Sequence, residues 1–396
     1  MRKNKYMLIA IITTIIYILL FNTLLDKEIS SLVNTKSLNE LRHKQDIPVR
    51  NKGAFLRDYF NQQGDLQLYG SSELGSKVPQ NPVNLYPFND ANYDISIYGV
   101  AHVQNLQHAT MLGGIDSYKD NSKIAIVQSL QWFQEDNGIS ADEFLSAFSE
   151  VQFYQFMNNR KISVENKRYF CKRILELLES KNIQVEEVFY AKTYISDDVI
   201  ERGLNFIIKP YYLLKEELLE TRDKILVYKE LKKQEEKNEI SDIKKINFDE
   251  EYKKAEEQGS KLVTNNSFFA EDGYYDKYLK DIEGDLENKY INDNILNSRE
   301  FEDFEFLLSV CKDLNIKPYI ILMNVNGWYY DYTGIGVEER REFYSKLEKI
   351  AKDNGFDVLN LNNKEYEKYY LSDVMHLGWK GWLNVTEEMY KYFNEN

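Results

Sequence analysis

Cysteine and histidine are scarce in this 396-residue chain, which contains two cysteines and four histidines. Cys171 and Cys311 each lie in a segment with the periodicity of an amphipathic helix, and neither has a CxxC neighbour. Buried free thiols are therefore favoured over a long-range disulfide. Because no group of cysteines and histidines has the spacing of a zinc site, the sequence predicts neither a metal site nor a cofactor.

The chain also lacks an excess of positive charge. It carries 50 lysines and arginines against 64 aspartates and glutamates, which gives a net charge of −14. A nucleic-acid surface requires clustered and excess Lys and Arg, so this balance argues against nucleic acid as a partner. An anionic substrate would need a local basic or polar patch, because the field of the whole molecule would repel it.

One segment alone is long and apolar enough to cross a membrane. Residues 6–25 contain no charged side chain, and about 20 such residues span a bilayer as a helix. Three cations within residues 1–5 predict a cytoplasmic N-terminus, with everything after residue 25 outside. A cleaved signal peptide is the alternative, but the end of the segment (FNTLL) offers no small-residue cleavage site. Residues 26–65 are polar and are predicted to form a stalk.

Short apolar strands alternate with amphipathic helices through most of the remaining chain. Strands are predicted at residues 66–69, 93–98, 123–127, 319–323 and 356–360, and helices at 102–112, 301–314, 338–354 and 379–393. This alternation predicts an α/β domain, residues 66–396, with a parallel sheet covered by helices on both faces. The carboxyl ends of the strands then share one edge, where binding sites form. From about residue 141 to 297 helical periodicity dominates, and its Lys- and Glu-rich part indicates a solvated helical insertion.

Two serines follow the first predicted strand directly, in the sequence YGSSELG from Tyr69 to Gly75. Gly70 allows a sharp turn at the strand end, and a serine at the start of the next helix would face the positive end of its dipole. That environment favours the alkoxide-like character that nucleophilic attack requires. Alone the pattern is weak, because serine at a helix start is commonly an N-cap.

The sequence SDVMHLGW, from Ser372 to Trp379, contains one of the four histidines. Asp373 precedes His376 by three residues, so its carboxylate can bind Nδ1, fix the tautomer and leave Nε2 free as a base. A nucleophile after the first strand with Asp-x-x-His near the C-terminus is the order found in SGNH hydrolases. The α/β-hydrolases instead carry Gly-x-Ser-x-Gly in mid-chain. Together the two patterns predict a Ser–His–Asp site, and neither His102 nor His108 is expected to act as a base.

Five further residues are candidates for oxyanion stabilisation or substrate binding: Gly99, Gln131, Trp132, Asn326 and Trp328. The backbone N–H groups of Ser72 and Gly99 lie at adjacent predicted strand ends, and Gln131 follows the third strand. An oxyanion donor of this kind contributes about 2.7–4 kcal/mol to transition-state stabilisation. The amide and aromatic groups that follow the fourth strand would suit a polyol or glycerol phosphate acceptor. Packing within loops is the alternative role for Gln131, Trp132, Asn326 and Trp328.

Taken together, these residues resemble the DltD family, the D-alanyl transfer proteins of Gram-positive teichoic acid modification. The resemblance covers essentially the whole chain, from the basic N-terminus and apolar segment to the C-terminus. It is carried by YGSSEL (residues 69–74), QWF (131–133), NGWYYD (326–331) and the long, specific motif SDVMHLGWKGW (372–382).

The resemblance implies an SGNH-hydrolase-like (flavodoxin-like) fold in which Ser72 is the nucleophile and Asp373 and His376 complete the triad. It implies an extracytoplasmic enzyme that accepts D-alanine as an ester and passes it to a glycerol or ribitol hydroxyl of lipoteichoic or wall teichoic acid. The implied partners are a membrane-bound O-acyltransferase and the other D-alanylation proteins. Two departures bear on the oxyanion donors: Leu130 replaces the family's proline, and Val-Ala-His follows Gly99 where a glycine-rich turn is usual.

Two other functions fit the same residues. An esterase or thioesterase of the same fold would use the triad with water, rather than a polymer hydroxyl, as the acceptor. A non-catalytic partner of the membrane acyltransferase would use the N-terminal anchor and the helical insertion as docking surfaces. The last hypothesis predicts that the substitution Ser72→Ala is functionally silent.

Overall fold

A five-stranded parallel sheet forms the centre of the protein in the computed structural model, which describes residues 2–237 and 243–395. The strands are β1 (Leu66–Tyr69), β2 (Ile95–Tyr98), β3 (Ile124–Gln128), β4 (Tyr319–Leu322) and β5 (Val358–Asn360). Their order is β2-β1-β3-β4-β5, and every neighbouring pair is parallel. This is one of the two common orders of doubly wound sheets. The predicted α/β architecture with a parallel sheet is confirmed.

The strands are buried on both faces, which explains their near-continuous apolar sequences. Within β3, Ile124 and Ile126 belong to one hydrophobic core, whereas Ala125 and Val127 belong to the core on the other side. Successive side chains of a strand point to opposite faces, so a sheet covered twice needs apolar residues at every position. All five predicted strands are present, with ends within two residues of those predicted.

Helices cover both faces of the sheet and fill the connection between β3 and β4. Within the described residues the α-helices are α1 (Arg2–Thr35), α2 (Asn39–His43), α3 (Pro48–Asn51), α4 (Phe55–Gln63), α5 (Pro82–Leu85), α6 (Asn105–Gly113), α7 (Ala141–Ala147), α8 (Glu150–Asn158), α9 (Val164–Leu178), α10 (Val185–Ile195), α11 (Val199–Leu231), α12 (Phe248–Leu262), α13 (Asp272–Tyr278), α14 (Glu283–Leu286), α15 (Glu300–Asp313), α16 (Gly327–Thr333), α17 (Val337–Asp353) and α18 (Trp379–Glu395). Helices α6 and α15 pack together on one side of the sheet, and α12 and α18 on the other. Helices α7 to α14 occupy the connection for which the sequence predicted a helical insertion.

Residues 26–65 differ from the predicted stalk, because they are helical and packed. Leu25, Ile29 and Val33 form an apolar stripe at four-residue spacing along α1 and are buried. They share a hydrophobic cluster with Val227 and Leu231 of α11. Polar residues dominate the composition of this region, so its apolar stripe was not predicted from the sequence. The helix that covers this stripe is distant in the chain, and local composition cannot indicate it.

The predicted membrane anchor, residues 6–25, falls in the first part of α1. Many of its side chains lie outside the described residues. Among the residues that are described, no helix combines the length and the apolar character needed to cross a membrane.

Candidate active site

The chain turns sharply at the end of β1 and brings Ser72 to the carboxyl edge of the sheet. The N–H of Ser71 donates to Oε1 of Glu73 at 2.6 Å, which closes the turn. A Cβ atom at Gly70 would lie 2.5 Å from the same oxygen, so a larger residue here would displace the Glu73 carboxylate that closes the turn. Ser72 opens a four-residue 3-10 helix at the place where the sequence predicted a helix start. A helix of four residues has a small dipole, so it should stabilise negative charge on Ser72 only weakly.

Gly99, at the end of the neighbouring strand β2, has a backbone that contacts two other segments of the protein. Its N–H donates to Oδ1 of Asn51 at 2.9 Å, so this donor is already occupied. Its φ is +136°, and a Cβ atom would lie 1.8 Å from the carbonyl oxygen of Gly70. Glycine is therefore required for the two strand ends to approach each other. Nε2 of Gln45 ties them further by donating to the carbonyls of Ser71 (2.8 Å) and Gly99 (3.1 Å).

His376 and Asp373 lie in the loop between β5 and α18, and His376 contacts Ser72. Nε2 of His376 is 2.9 Å from Oγ of Ser72, and Nδ1 is 2.8 Å from Oδ2 of Asp373. The other carboxylate oxygen of Asp373 accepts the N–H groups of Met375 and His376, each at 2.8 Å. With both carboxylate oxygens engaged, the network favours the tautomer in which Nδ1–H donates to Asp373 and Nε2 faces the serine.

The pKa of His376 is raised above its ordinary value of 6.5. Burial by itself lowers this pKa, but the hydrogen bond from Nδ1 to Asp373 and the charge of that carboxylate outweigh burial. Glu73 adds a smaller electrostatic contribution in the same direction. The side chain of Glu73 is fully buried, and burial raises the pKa of its own carboxyl group. The imidazole is thus a stronger base than an exposed histidine, and it becomes protonated at a higher pH.

A cleft of about 430 Å³ opens beside Ser72 and His376. Trp379, the first residue of α18, and the carboxylate residue Glu271 are among its lining residues. Among the described residues that line the cleft, Lys77 is the one cation. The cleft therefore presents a nucleophile and a base together with one lysine and two acidic side chains, Glu271 and Asp373.

The helical insertion supports the loop that carries the base. The N–H of Glu271 donates to the carbonyl of Ser372 at 2.8 Å. Nδ2 of Asn326 donates to the carbonyl of Phe268 at 2.7 Å and to that of Asp373 at 3.4 Å. The segment just before α13 is therefore bound directly to the loop that contains Asp373 and His376.

Gln131 and Trp132 are not among the residues that line the cleft. Trp132 is buried in the core, with its ring centroid 5.8 Å from that of His108. Nε2 of His108 is 2.9 Å from the carbonyl oxygen of Gly70, and burial lowers the pKa of this histidine to about 4. The neutral ring therefore donates to Gly70, so Trp132 and His108 support the turn before Ser72 from the core. Gln131 is half-buried, and its side chain has no hydrogen-bond partner among the described residues.

Asn326 and Trp328 likewise lie outside the lining of the cleft. Asn326 is buried, and its Oδ1 accepts the N–H of Tyr329 at 3.0 Å as the N-cap of α16. The ring of Trp328 packs against Phe269, with centroids 4.5 Å apart. Both residues join α16 to the segment that precedes α13, which is the packing role that the sequence left open.

Among the lining or adjacent residues that were absent from the predicted set, four carry charged or aromatic side chains: Glu73, Lys77, Glu271 and Trp379. Glu73 and Trp379 lie inside the two motifs that carry the triad, so their position beside Ser72 and His376 was a usable signal. Glu271 belongs to a charged helical region, and nothing in its local sequence indicates that the chain returns there to the sheet edge.

Comparison with known proteins finds the same family along nearly the whole chain. Residues 44–394 match the sequence model of a family described as DltD protein. Protein DltD of Bacillus subtilis (strain 168) is 28% identical over 348 residues, which cover 87% of each chain. Protein DltD of Staphylococcus aureus (strain NCTC 8325 / PS 47) is 28% identical over 371 residues, 92% of this chain and 90% of the relative. Protein DltD of Lacticaseibacillus rhamnosus is 22% identical over 341 residues, 85% of this chain and 79% of the relative.

Proposed function

Because this chain belongs to the DltD family, which implies a role in the D-alanylation of teichoic acid, we propose that it transfers D-alanine through an ester on Ser72. The observation that carries the proposal is the hydrogen-bonded series from Ser72 through His376 to Asp373 at an open cleft. The strand order, with the serine after β1 and Asp-x-x-His after β5, supports an SGNH-hydrolase-like fold as part of the proposal.

In the first half-reaction, Oγ of Ser72 attacks the carbonyl carbon of a D-alanyl ester or thioester while Nε2 of His376 takes the hydroxyl proton. The tetrahedral intermediate then expels the alcohol or thiol of the donor, which receives that proton from His376. Asp373 holds the ring and stabilises the imidazolium that forms between the two transfers. The product is D-alanine esterified to Ser72.

In the second half-reaction, a glycerol or ribitol hydroxyl of lipoteichoic or wall teichoic acid attacks the ester. His376 accepts the hydroxyl proton as the new C–O bond forms, and it returns the proton to Oγ of Ser72 when the serine leaves. Water in place of the polymer hydroxyl would make the same site an esterase. Transfer and hydrolysis therefore differ in the acceptor, and the triad itself is common to both.

Oxyanion stabilisation is assigned to the turn at Ser72. The backbone N–H of Ser72 has no acceptor among the described residues, so it is available to a developing oxyanion. The N–H of Gly99 donates to Asn51, and this hydrogen bond would have to break before Gly99 could donate to an oxyanion. A single oxyanion donor contributes about 2.7–4 kcal/mol to the stabilisation of the transition state.

The two kinds of charge in the cleft match the two kinds of charge in the proposed substrates. Glu271 is suited to the ammonium group of a D-alanyl ester, and Lys77 to a phosphate of the acceptor polymer. In a protein of net charge −14, a cation at the cleft gives a polyanion a local point of contact.

Location and partners belong to the same proposal. Teichoic acid is a polymer of the cell envelope, so a role in its D-alanylation implies a location there. We infer an extracytoplasmic domain held by the anchor at residues 6–25, which acts with a membrane-bound O-acyltransferase that supplies the D-alanyl group. The apolar sequence of this segment and the three cations that precede it support this arrangement.

The experiment is to measure ester-linked D-alanine in the envelope of a strain that lacks this protein, complemented with the wild type or with Ser72→Ala. Wild type should restore the esters, whereas Ser72→Ala should not, although it accumulates to the same level. Ser71→Ala is a matched control, because this hydroxyl donates to the carbonyl of Val100 and lies outside the cleft lining. It should restore most of the esters. Full restoration by Ser72→Ala would contradict catalysis and favour a non-catalytic partner.

A further inference from the structure

The first half of α11 carries an apolar face that is largely exposed among the described residues, although the hydroxyl of Tyr211 donates to Glu186 of α10 at 3.0 Å. Six large apolar side chains recur along it at alternating four- and three-residue steps and are exposed: Ile200, Leu204, Ile207, Tyr211, Leu214 and Leu218. Ile200 is 75% exposed and Ile207 is 71% exposed. A soluble surface tolerates single exposed apolar residues, but a continuous patch of this kind marks an interaction site.

The face is wider than a single row. Val199 and Phe206 form a second exposed row, seven residues apart, and Phe206 is 78% exposed. Gly203 and Pro210 lie between the two rows, so from residue 199 to residue 214 about half of the helix circumference carries no charged side chain. A coiled-coil partner helix requires only a narrow seam, whereas an interfacial helix presents a broad apolar face.

The opposite face of α11 is fixed against the body of the protein. Tyr212 stacks on Tyr154 with ring centroids 5.6 Å apart. Nδ2 of Asn205 donates to Oγ1 of Thr193 at 3.0 Å. These contacts determine the rotation of the helix about its axis, so the apolar face cannot turn inward to become buried.

Helix α11 runs beside α1 in the same direction. Nδ2 of Asn22 donates to Glu217 at 3.0 Å, and further along Nζ of Lys224 is 2.8 Å from Asp26. Residue numbers rise together on the two helices, which makes the packing parallel. The part of α11 that precedes Glu217 therefore runs on the same side as the part of α1 that precedes Asn22, which is the predicted anchor.

We propose that residues 199–218 of α11 lie in the lipid interface, with the apolar face in contact with the acyl chains. Arg202 and Lys209 are exposed at one border of the face, where cations reach anionic headgroups. The nearness of the anchor supports this proposal through the location proposed above. The width of the apolar face and its basic border support it independently of that location. A second attachment would stop the domain from rotating freely about a single anchor helix.

The test uses the full chain with Phe206→Cys, labelled with an environment-sensitive fluorophore and reconstituted into phosphatidylcholine–phosphatidylglycerol vesicles with nitroxide-labelled acyl chains. The native Cys171 and Cys311 are buried, and burial raises the pKa of both thiols, which keeps them unreactive. Glu338→Cys, on α17, is the matched control, because this side chain is exposed and charged in the native protein. The label at position 206 should lose fluorescence to the lipid nitroxide and resist aqueous iodide. The label at position 338 should show the reverse.

Three outcomes would overturn the proposal. A label at position 206 that behaves like the one at 338 would show that the face is in water. Protection that increases with protein density in the vesicles would show that a second copy covers it. Protection that needs a co-reconstituted membrane protein would assign the face to that protein. Flotation after carbonate washing tests the anchor separately, and no D-alanine transfer is measured, so failure of the catalytic proposal leaves this readout intact.

Discussion

The two segments that meet at the cleft are held in different ways. The segment with Ser72 is fixed by the sheet: Gly99 packs against the Gly70 carbonyl, and His108 donates to that carbonyl from the core. The loop with His376 is fixed by Asp373, which binds the ring and two N–H groups, and by contacts with the helical insertion. Substitutions of the glycines that shape the serine segment should therefore affect folding first, whereas changes to the histidine loop should affect catalysis first.

Among variants that keep Ser72, the largest catalytic effect is expected from Asp373→Asn. The amide oxygen can still accept the two backbone N–H groups, so the loop should keep its shape, but the amide no longer fixes the productive tautomer of His376. A comparable substitution in a serine protease lowers kcat by about 10⁴-fold. We expect a loss of this order in turnover of a D-alanyl ester, with an unchanged unfolding transition. A loss smaller than about tenfold would show that the ring does not depend on this carboxylate.

The substitution Gly99→Ala, beside the serine segment, should instead lower the stability of the protein. The added Cβ would lie 1.8 Å from the Gly70 carbonyl oxygen, at a positive φ, so the two strand ends must separate. The expected cost is about 3 kcal/mol in the free energy of unfolding, measured by urea denaturation.

Gly203→Ala is the matched control for this substitution. No atom lies within 4 Å of the added Cβ there, and the residue is within helix α11. It should stabilise the protein by up to about 1 kcal/mol. If the two alanine variants changed the free energy of unfolding equally, the steric explanation for glycine at position 99 would be wrong.

Glu73 links the two segments, and Glu73→Gln should change the pH dependence of the reaction. The base must be neutral to accept the proton of Ser72, so activity is lost as the pH falls through the raised pKa of His376. Glu73 contributes to that raised pKa, so the glutamine should lower it and move the acid limb to lower pH. Its Oε1 still accepts the N–H of Ser71, which keeps the turn intact.

Glu143→Gln is the control for this experiment. Glu143 pairs with His102 at 2.9 Å, away from the cleft, so its substitution should leave the acid limb in place. An acid limb that Glu73→Gln leaves unmoved, or moves to higher pH, would contradict the electrostatic coupling between Glu73 and His376.

The smallest effect is expected from Lys77→Ala. An exposed charge contributes up to about 1 kcal/mol to a contact, which corresponds to an increase of at most about fivefold in KM for the polymer. The increase should shrink at high salt, because screening weakens the wild-type contact. Lys119→Ala, in a surface loop outside the cleft lining, is the control and should leave KM unchanged. A KM that Lys77→Ala does not alter at low salt would remove this residue from polymer binding.

The sequence predicted correctly the elements that depend on residues close together in the chain. The strands followed from apolar runs bounded by glycine, and Asp373 and His376 followed from a three-residue spacing that one loop can satisfy. The roles of Gly99 and Asn326 did not follow, because their hydrogen-bond partners, Asn51 and Phe268, are more than 45 residues away in the chain. A stalk was predicted for residues 26–65 because the helix α11 that covers them comes more than 130 residues later.

The acyl group on Ser72 can be detected directly. The protein would be incubated with a D-alanyl thioester, quenched in acid and digested, and its peptides examined by mass spectrometry. We expect a D-alanyl ester on the peptide that contains Ser72, which disappears when an acceptor polyol is added and is absent from Ser72→Ala. Turnover without an adduct at Ser72, or with the adduct on another residue, would contradict this expectation.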